Sequence, residues 1–350
     1  MRKYYLDNLR TLMILLLFPV HTFMIWNDYG TKFYVWGGES KLLSSLITLV
    51  NPWFMSILFV IAGMCANYSL RKRSIKGFVK ERFSKLMLPF ISGMILLIPF
   101  QTLYARKFFF GYNGSLFDNF KYFFTNFTDL SGYDGCFTPG HLWFILFLFV
   151  ISILSLVVIK LLPYEKIRNK TEKMNIAIII LLFVPVWLFY YIGNFGGFSL
   201  GKDFILYLLG YYVFSNDLII QKIIKWKKLI LMLFCILQLG LSIAYYQFSY
   251  YGDLGVNIVG WLGVLSFLII GNEYFNKKTK ITDYLSKASF PVYILHQTIL
   301  VISGYYVLLS IDNIVMQVLI IMAGSFLLTF LCYEIIRRIP YLRKLFGMKK

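Results

Sequence analysis

The sequence predicts an all-α fold: a polytopic membrane bundle of about ten transmembrane helices, each built from about 17–25 mostly apolar residues. Three observations carry that expectation. Of 350 residues, 59% are hydrophobic and only 15% are charged, more apolar side chain than a soluble chain of this length can hide. Long uncharged runs recur from one end to the other. The basic residues fall between those runs in alternating order rather than being scattered.

Ten stretches are long enough to span: roughly 9–27, 42–66, 86–104, 142–162, 174–192, 203–220, 228–248, 255–271, 288–310 and 314–336. The first, within "LDNLRTLMILLLFPVHTFM", starts like a secretory leader, with basic residues before an apolar core. It lacks a small-x-small cleavage site, and Pro19 and His21 interrupt it, so a retained span is expected. With the N-terminus placed in the cytoplasm, the outer side keeps only Lys32, Lys41, Arg106, Lys107, Lys121 and Lys202 of the 35 lysines and arginines. The rest gather at the N-terminus and in 71–85, 160–173, 222–228, 277–287 and 337–350. This is the positive-inside distribution, and it places both termini in the cytoplasm of a multi-pass plasma-membrane protein. It also accounts for a net charge of +19 without nucleic acid as a partner.

The whole of 1–350 is expected to form one integral-membrane domain with no appended soluble domain. The one long outer loop, about 105–140, is rich in aromatics such as Phe108, Phe110, Phe123 and Phe127, as in a short helix resting at the headgroup level. A loop of this length is often functional, and a lid role stays open. Cys65, Cys136, Cys235 and Cys332 share no ligand spacing, so neither a metal site nor a disulfide framework is expected.

Ionisable groups inside the apolar runs carry the functional signal, because a purely structural role rarely offsets the cost of placing them in hydrocarbon. Arg10 and His21 are eleven residues apart, three turns plus roughly 20°, so both project from one helix face about 16 Å apart along the axis. Arg10 then sits at the cytoplasmic boundary, with Asp7 one turn earlier as a partner, and His21 near the midplane. Alone, Arg10 reads as a snorkelling cation and His21 as a packing histidine; together on one face they read as a site. The chain has two further histidines. His296, in "FPVYILHQTIL", comes close to the depth of His21, and His141, in "GHLWFILF", opens the fourth span beside Trp143. Arg82 and Lys85, in "KERFSKLMLPF", are one turn apart at the inner mouth with Arg71 and Arg73 nearby, where they could hold phosphates or simply obey topology.

These residues resemble a known pattern. "YLDNLRTLMILLLFPVH" is similar to the Arg-x10-His signature of the bacterial membrane acyltransferase-3 family. "FMSILFVIAGMCANYSLRKRSIKGFVKERFSKLMLP", "GHLWFILFLF" and "FPVYILHQTIL" resemble further blocks of that family in the same order, over essentially the whole chain. The nearest branch is the one that succinylates glucans. The resemblance implies transfer of an acyl group from cytoplasmic acyl-CoA, acetyl-CoA or succinyl-CoA, to a hydroxyl on an extracytoplasmic envelope glycan or related acceptor. His21 matches the expected catalytic base and Arg10 its motif partner. Arg82 matches the first arginine of Arg-x-x-Arg, while Lys85 stands where the second is expected, which keeps the charge and loses the planar fork. His296 is a candidate oxyanion donor and His141 a further catalytic candidate. Expected partners are acyl-CoA, the glycan acceptor, membrane lipids and, as an option, a second copy of the chain in a homodimer. The rival reading is a transporter or flippase for an anionic envelope glycan or lipid, which would favour inverted repeats that the sequence does not display.

Overall fold

The computed structural model describes residues 3–30, 32–195 and 197–348, and the fold is helical with one two-stranded pair. The first span is α1 (Tyr4–Phe23), continued by a short 3-10 turn to Trp26, with Pro19 inside it. The second expected span is broken: α2 (Lys41–Thr48) ends before Asn51-Pro52, and α3 (Phe54–Leu70) begins after it. A proline lacks the N–H that a continuous helix needs and pushes its predecessor out of the helical region. Next come α4 (Ile75–Arg82), a π turn over Phe83–Met87, α5 (Leu88–Leu96) and α6 (Ile98–Phe110), together one long apolar run.

Gly111, at φ 63, closes α6 in the left-handed conformation that glycine adopts without strain. The outer loop then holds α7 (Leu116–Thr125), opened by Ser115, whose hydroxyl accepts from the Asp118 N–H at 3.1 Å. Phe117 and Phe124 face outward from α7 while Phe123 is fully buried, the two-sided pattern expected of an interfacial helix. Arg106 pins the loop. Its guanidinium lies 3.8 Å from the Tyr112 ring centre and 4.2 Å from that of Tyr122, and it donates to Asn119 Oδ1 at 3.2 Å.

After α7 the chain forms α8 (Trp143–Leu161), α9 (Tyr164–Glu172), the short apolar pair α10 (Ile176–Leu181) and α11 (Phe183–Tyr190), and an antiparallel pair of strands, β1 (Asn194–Phe195) and β2 (Phe198–Ser199). The sixth expected span is bent rather than straight. It is α12 (Leu200–Leu209) with a π turn to Phe214, followed at 95° by α13 (Asp217–Lys225). Asn216 makes the corner by accepting from the Leu218 N–H at 3.0 Å. The chain ends with α14 (Lys227–Phe248), α15 (Asp253–Tyr274), α16 (Lys280–Ser310), α17 (Ile314–Ile336) and α18 (Pro340–Leu345). Among the described residues seven helical runs are long and apolar enough to cross a membrane, eight if the bent pair counts as one span. α3 and the α10–α11 pair are shorter apolar segments.

The chain divides into two compact units, each assembled from separated stretches. Unit 1 takes residues 1–13, 48–83 and 147–282; unit 2 takes 14–47, 84–146 and 283–350. Within unit 1 the close helix pair is α3 with α12. A Cβ on Gly63 would stand 1.9 Å from the Tyr207 carbonyl oxygen, and one on Gly210 2.1 Å from that of Val60. Small residues that admit such close backbone approach are the usual basis of helix packing in lipid, where apolar burial gives no drive. Exposed apolar side chains such as Met232, Ile236 and Leu239 on α14 suit hydrocarbon, not water. Unit 2 has its own core of Ile25, Trp26, Tyr34, Val35, Leu300 and Ile321, and its α17 likewise presents Leu319, Leu327 and Leu331 outward.

Candidate active site

All three histidines of the chain belong to unit 2, and they meet. His21 comes from the last turn of α1, His296 from the middle of α16, and His141 from the 3-10 turn that opens α8. His21 Nδ1 lies 2.9 Å from His296 Nε2, with the two ring planes 13° apart. His296 Nδ1 lies 2.6 Å from the Tyr293 carbonyl oxygen. His141 stands edge-on to His296 with ring centres 5.1 Å apart. Its Nε2 is 2.9 Å from the Ile294 carbonyl oxygen and its Nδ1 3.3 Å from Gln101 Nε2.

Around the rings runs a network of uncharged groups. Gln101 Nε2 donates to Thr298 Oγ1 at 2.7 Å, Gln297 Nε2 donates to Gln101 Oε1 at 3.2 Å, and the Tyr293 hydroxyl donates to the His141 carbonyl. Gln101 and His296 are fully buried, and Gln297, Thr298 and His141 nearly so. A buried polar group that is not hydrogen-bonded is costly, so these bonds hold α6, α16 and the turn that opens α8 in one register. Among the described residues no group of three His, Cys, Asp or Glu is arranged to hold a metal.

His21 differs from its neighbours by being partly exposed. Its Nδ1 is taken by His296, and no other protein group among the described residues hydrogen-bonds its Nε2. Phe33 lies near-parallel to it at 6.2 Å, and Phe33 in turn packs against Tyr34 and against Tyr133 of the outer loop. Burial pushes the Tyr133 phenol up to about 12, so the loop meets the site as a neutral hydroxyl-bearing ring. The placement of His296 does not suit it as an oxyanion donor. Both of its nitrogens are committed, one to a carbonyl and one to His21, and neither is left to donate to a developing oxyanion. His141 is committed in the same way, which makes its ring a tie between α8 and α16.

The basic candidates gather in unit 1, with Lys85 just past its edge in unit 2. Arg10 pairs with Asp7 at 3.5 Å, the partner that the one-turn spacing predicts, and Nη2 reaches Cys65 Sγ at 3.7 Å. Two contacts leave donors over on a guanidinium that carries five. Arg82 lies over the Phe78 ring, 4.6 Å from its centre, and its buried Nε has no hydrogen-bond partner among the described residues. Arg71 packs over Tyr164 and Arg73 pairs with Glu81. Arg82 ends α4, and the π turn that follows carries Lys85, so the pair straddles a helix irregularity of the kind often found at functional sites. Sequence reasoning passed over Tyr293, Gln101, Gln297 and Thr298. The signal was present in the polar run "HQT" inside an apolar span and in the lone glutamine of "IPFQTLY".

Long lipid-suited helices and a buried histidine cluster with one partly exposed ring define a multi-pass membrane protein with a polar site inside it. Comparison with known proteins gives the class its name: the model of the acyltransferase domain family matches residues 3–334, across both units, and the chain belongs to that family. It is a multi-pass plasma-membrane acyltransferase. Similar curated proteins are the glucans biosynthesis protein C of Salmonella paratyphi B and of Salmonella dublin, each 24% identical over 99% of this chain and 95% of its own length. That of Salmonella gallinarum is 22% identical over the same shares. No solved structure matches the chain.

Proposed function

We propose that this acyltransferase moves a short acyl group, acetyl or succinyl, from cytoplasmic acyl-CoA across the membrane to a hydroxyl of an extracytoplasmic envelope glycan. The relatives are named for glucan biosynthesis, which supports a glucan as the acceptor. The topology this requires has both termini in the cytoplasm and ten membrane segments: the seven long runs, the bent α12–α13 pair, α3, and α10 with α11.

The donor's phosphates are held by Arg10, Arg82 and Lys85, with Arg71 and Arg73 adding to the local positive potential. Arg82 is suited to that task because its buried Nε is a donor that no group among the described residues satisfies. At the other end of the reaction, the ring nitrogen of His21 that His296 does not occupy takes the proton of the acceptor hydroxyl. The oxygen attacks the thioester carbonyl, a C–O bond forms, the C–S bond breaks, and the proton passes from His21 to the departing CoA thiolate. The products are the glycan ester and free CoA. General-base help of this kind is worth about 10²–10⁴-fold. A two-step route through acyl-His21 has the same balance, and trapping labelled acyl-enzyme without acceptor separates the two.

One observation carries this reading: of three clustered imidazoles, only His21 is both partly exposed and bonded on a single nitrogen. Mass analysis of envelope glycans from cells with and without the protein tests it. A glucan heavier by one acetyl or succinyl unit per modified sugar in the producing cells is expected, and identical glycan masses in both would contradict it.

A further inference from the structure

We infer that His296 is the positioning residue that fixes the tautomer of His21, so that Nε2 of His21 is the nitrogen that handles the acceptor proton. The inference rests on His21 acting as the base, as proposed above.

The assignment follows from one group that cannot donate. The Tyr293 carbonyl oxygen only accepts, so the hydrogen in its 2.6 Å contact with His296 belongs to His296 Nδ1. A neutral imidazole carries one N–H, and His296 therefore turns a lone pair toward His21 from Nε2. The 2.9 Å contact between the rings needs a hydrogen, and only His21 Nδ1 can supply it. That leaves Nε2 of His21 bare, and Nε2 is the nitrogen with no protein partner among the described residues. The ring planes are 13° from parallel with centres 5.1 Å apart, and a 2.9 Å contact at that separation puts both nitrogens close to the line between the centres, as an in-plane hydrogen bond requires.

His141 is held the other way round. Its Nε2 faces the Ile294 carbonyl and must carry the hydrogen, and its Nδ1 accepts from the Gln101 amide. The Tyr293 hydroxyl donates to the His141 carbonyl, which steadies the residue where the relay starts. His296 is fully buried, so it acts on the reaction only through His21. A histidine base held in the wrong tautomer costs a serine-protease triad about 10⁴-fold in kcat. A neutral imidazole is a weaker orienter than the carboxylate there, so about 10²-fold is expected for loss of His296.

The test uses the full-length protein in lipid nanodiscs with ¹⁵N-labelled histidine. With only three histidines in the chain, single substitutions assign every ring. Expected at neutral pH are His21 and His296 protonated on Nδ1 alone and His141 on Nε2 alone. A proton on His21 Nε2, alone or together with Nδ1, would overturn the inference. In turnover, His296→Leu should lower kcat about 10²-fold while KM for acyl-CoA stays within about threefold. His296→Gln, whose Oε1 can accept where Nε2 did, should recover about tenfold of that loss. Equal loss in the leucine and glutamine variants overturns the positioning role. Wild-type turnover in His21→Ala overturns the base assignment instead, so the two failures are told apart.

Discussion

Around His296, Gln101 and His141, hydrogen-bonding capacity is consumed, whereas around Arg10 and Arg82 it is left over. The unit 2 cluster joins three imidazoles, two amides, a threonine and two carbonyls without one formal charge partner. In unit 1 the guanidiniums of Arg10, Arg71 and Arg82 rest on aromatic rings or on one or two weak contacts, and a buried N–H stays unmatched. The difference fits the two tasks proposed above. A site that must aim one nitrogen benefits from neighbours that allow a single arrangement. A site that must catch a polyanion benefits from donors held in place and not already satisfied.

That contrast can be broken by mutation. The largest effect is expected for His21→Ala, which should lower acyl transfer about 10³-fold or more while the protein still inserts and purifies normally. Transfer assays paired with size-exclusion profiles check it. Arg82→Ala should come next, weakening acyl-CoA binding about 10–100-fold through loss of a charge-assisted contact, with the rate at saturating donor little changed. Isothermal titration with a non-hydrolysable acyl-CoA analogue reads this directly. Gln101→Leu probes the satisfied network instead. It strands His141 Nδ1 and Gln297 Nε2, and should lower the Tm in detergent by a few degrees, about 1–2 kcal/mol, with a smaller effect on donor affinity. The smallest change is expected for Lys85→Arg, which restores the planar fork and should tighten donor binding about threefold or less.

Much of this was legible in the sequence, and the reasons are physical. A long apolar run in lipid folds as a helix because that is how a single segment satisfies its own backbone polar groups, so the long spans fall close to where hydropathy puts them. The pairing of Asp7 with Arg10 follows from helix spacing, and the equal depth of His21 and His296 from a 1.5 Å rise per residue. The breaks were harder to see. Hydropathy averages over a proline or an Asn cap, so it ran straight through Asn51-Pro52 and through the 95° corner at Asn216. Gln101 and Thr298 were passed over because attention to ionisable groups ignores neutral ones, although a buried amide is also costly to leave unmatched. The roles of His141 and His296 were beyond reach of the sequence, since a ring's chemistry depends on what its second nitrogen touches.

The most direct measurement is CoA release by purified wild-type protein and the His21→Ala variant in proteoliposomes, with acyl-CoA outside and a soluble glucan enclosed. The account predicts that wild-type protein frees CoA beyond one equivalent only when the glucan is present, in step with ester formation on it, and that the variant leaves the thioester intact. Glucan-dependent CoA release that continues unabated in His21→Ala, or movement of glucan across the bilayer with the thioester untouched, would contradict it.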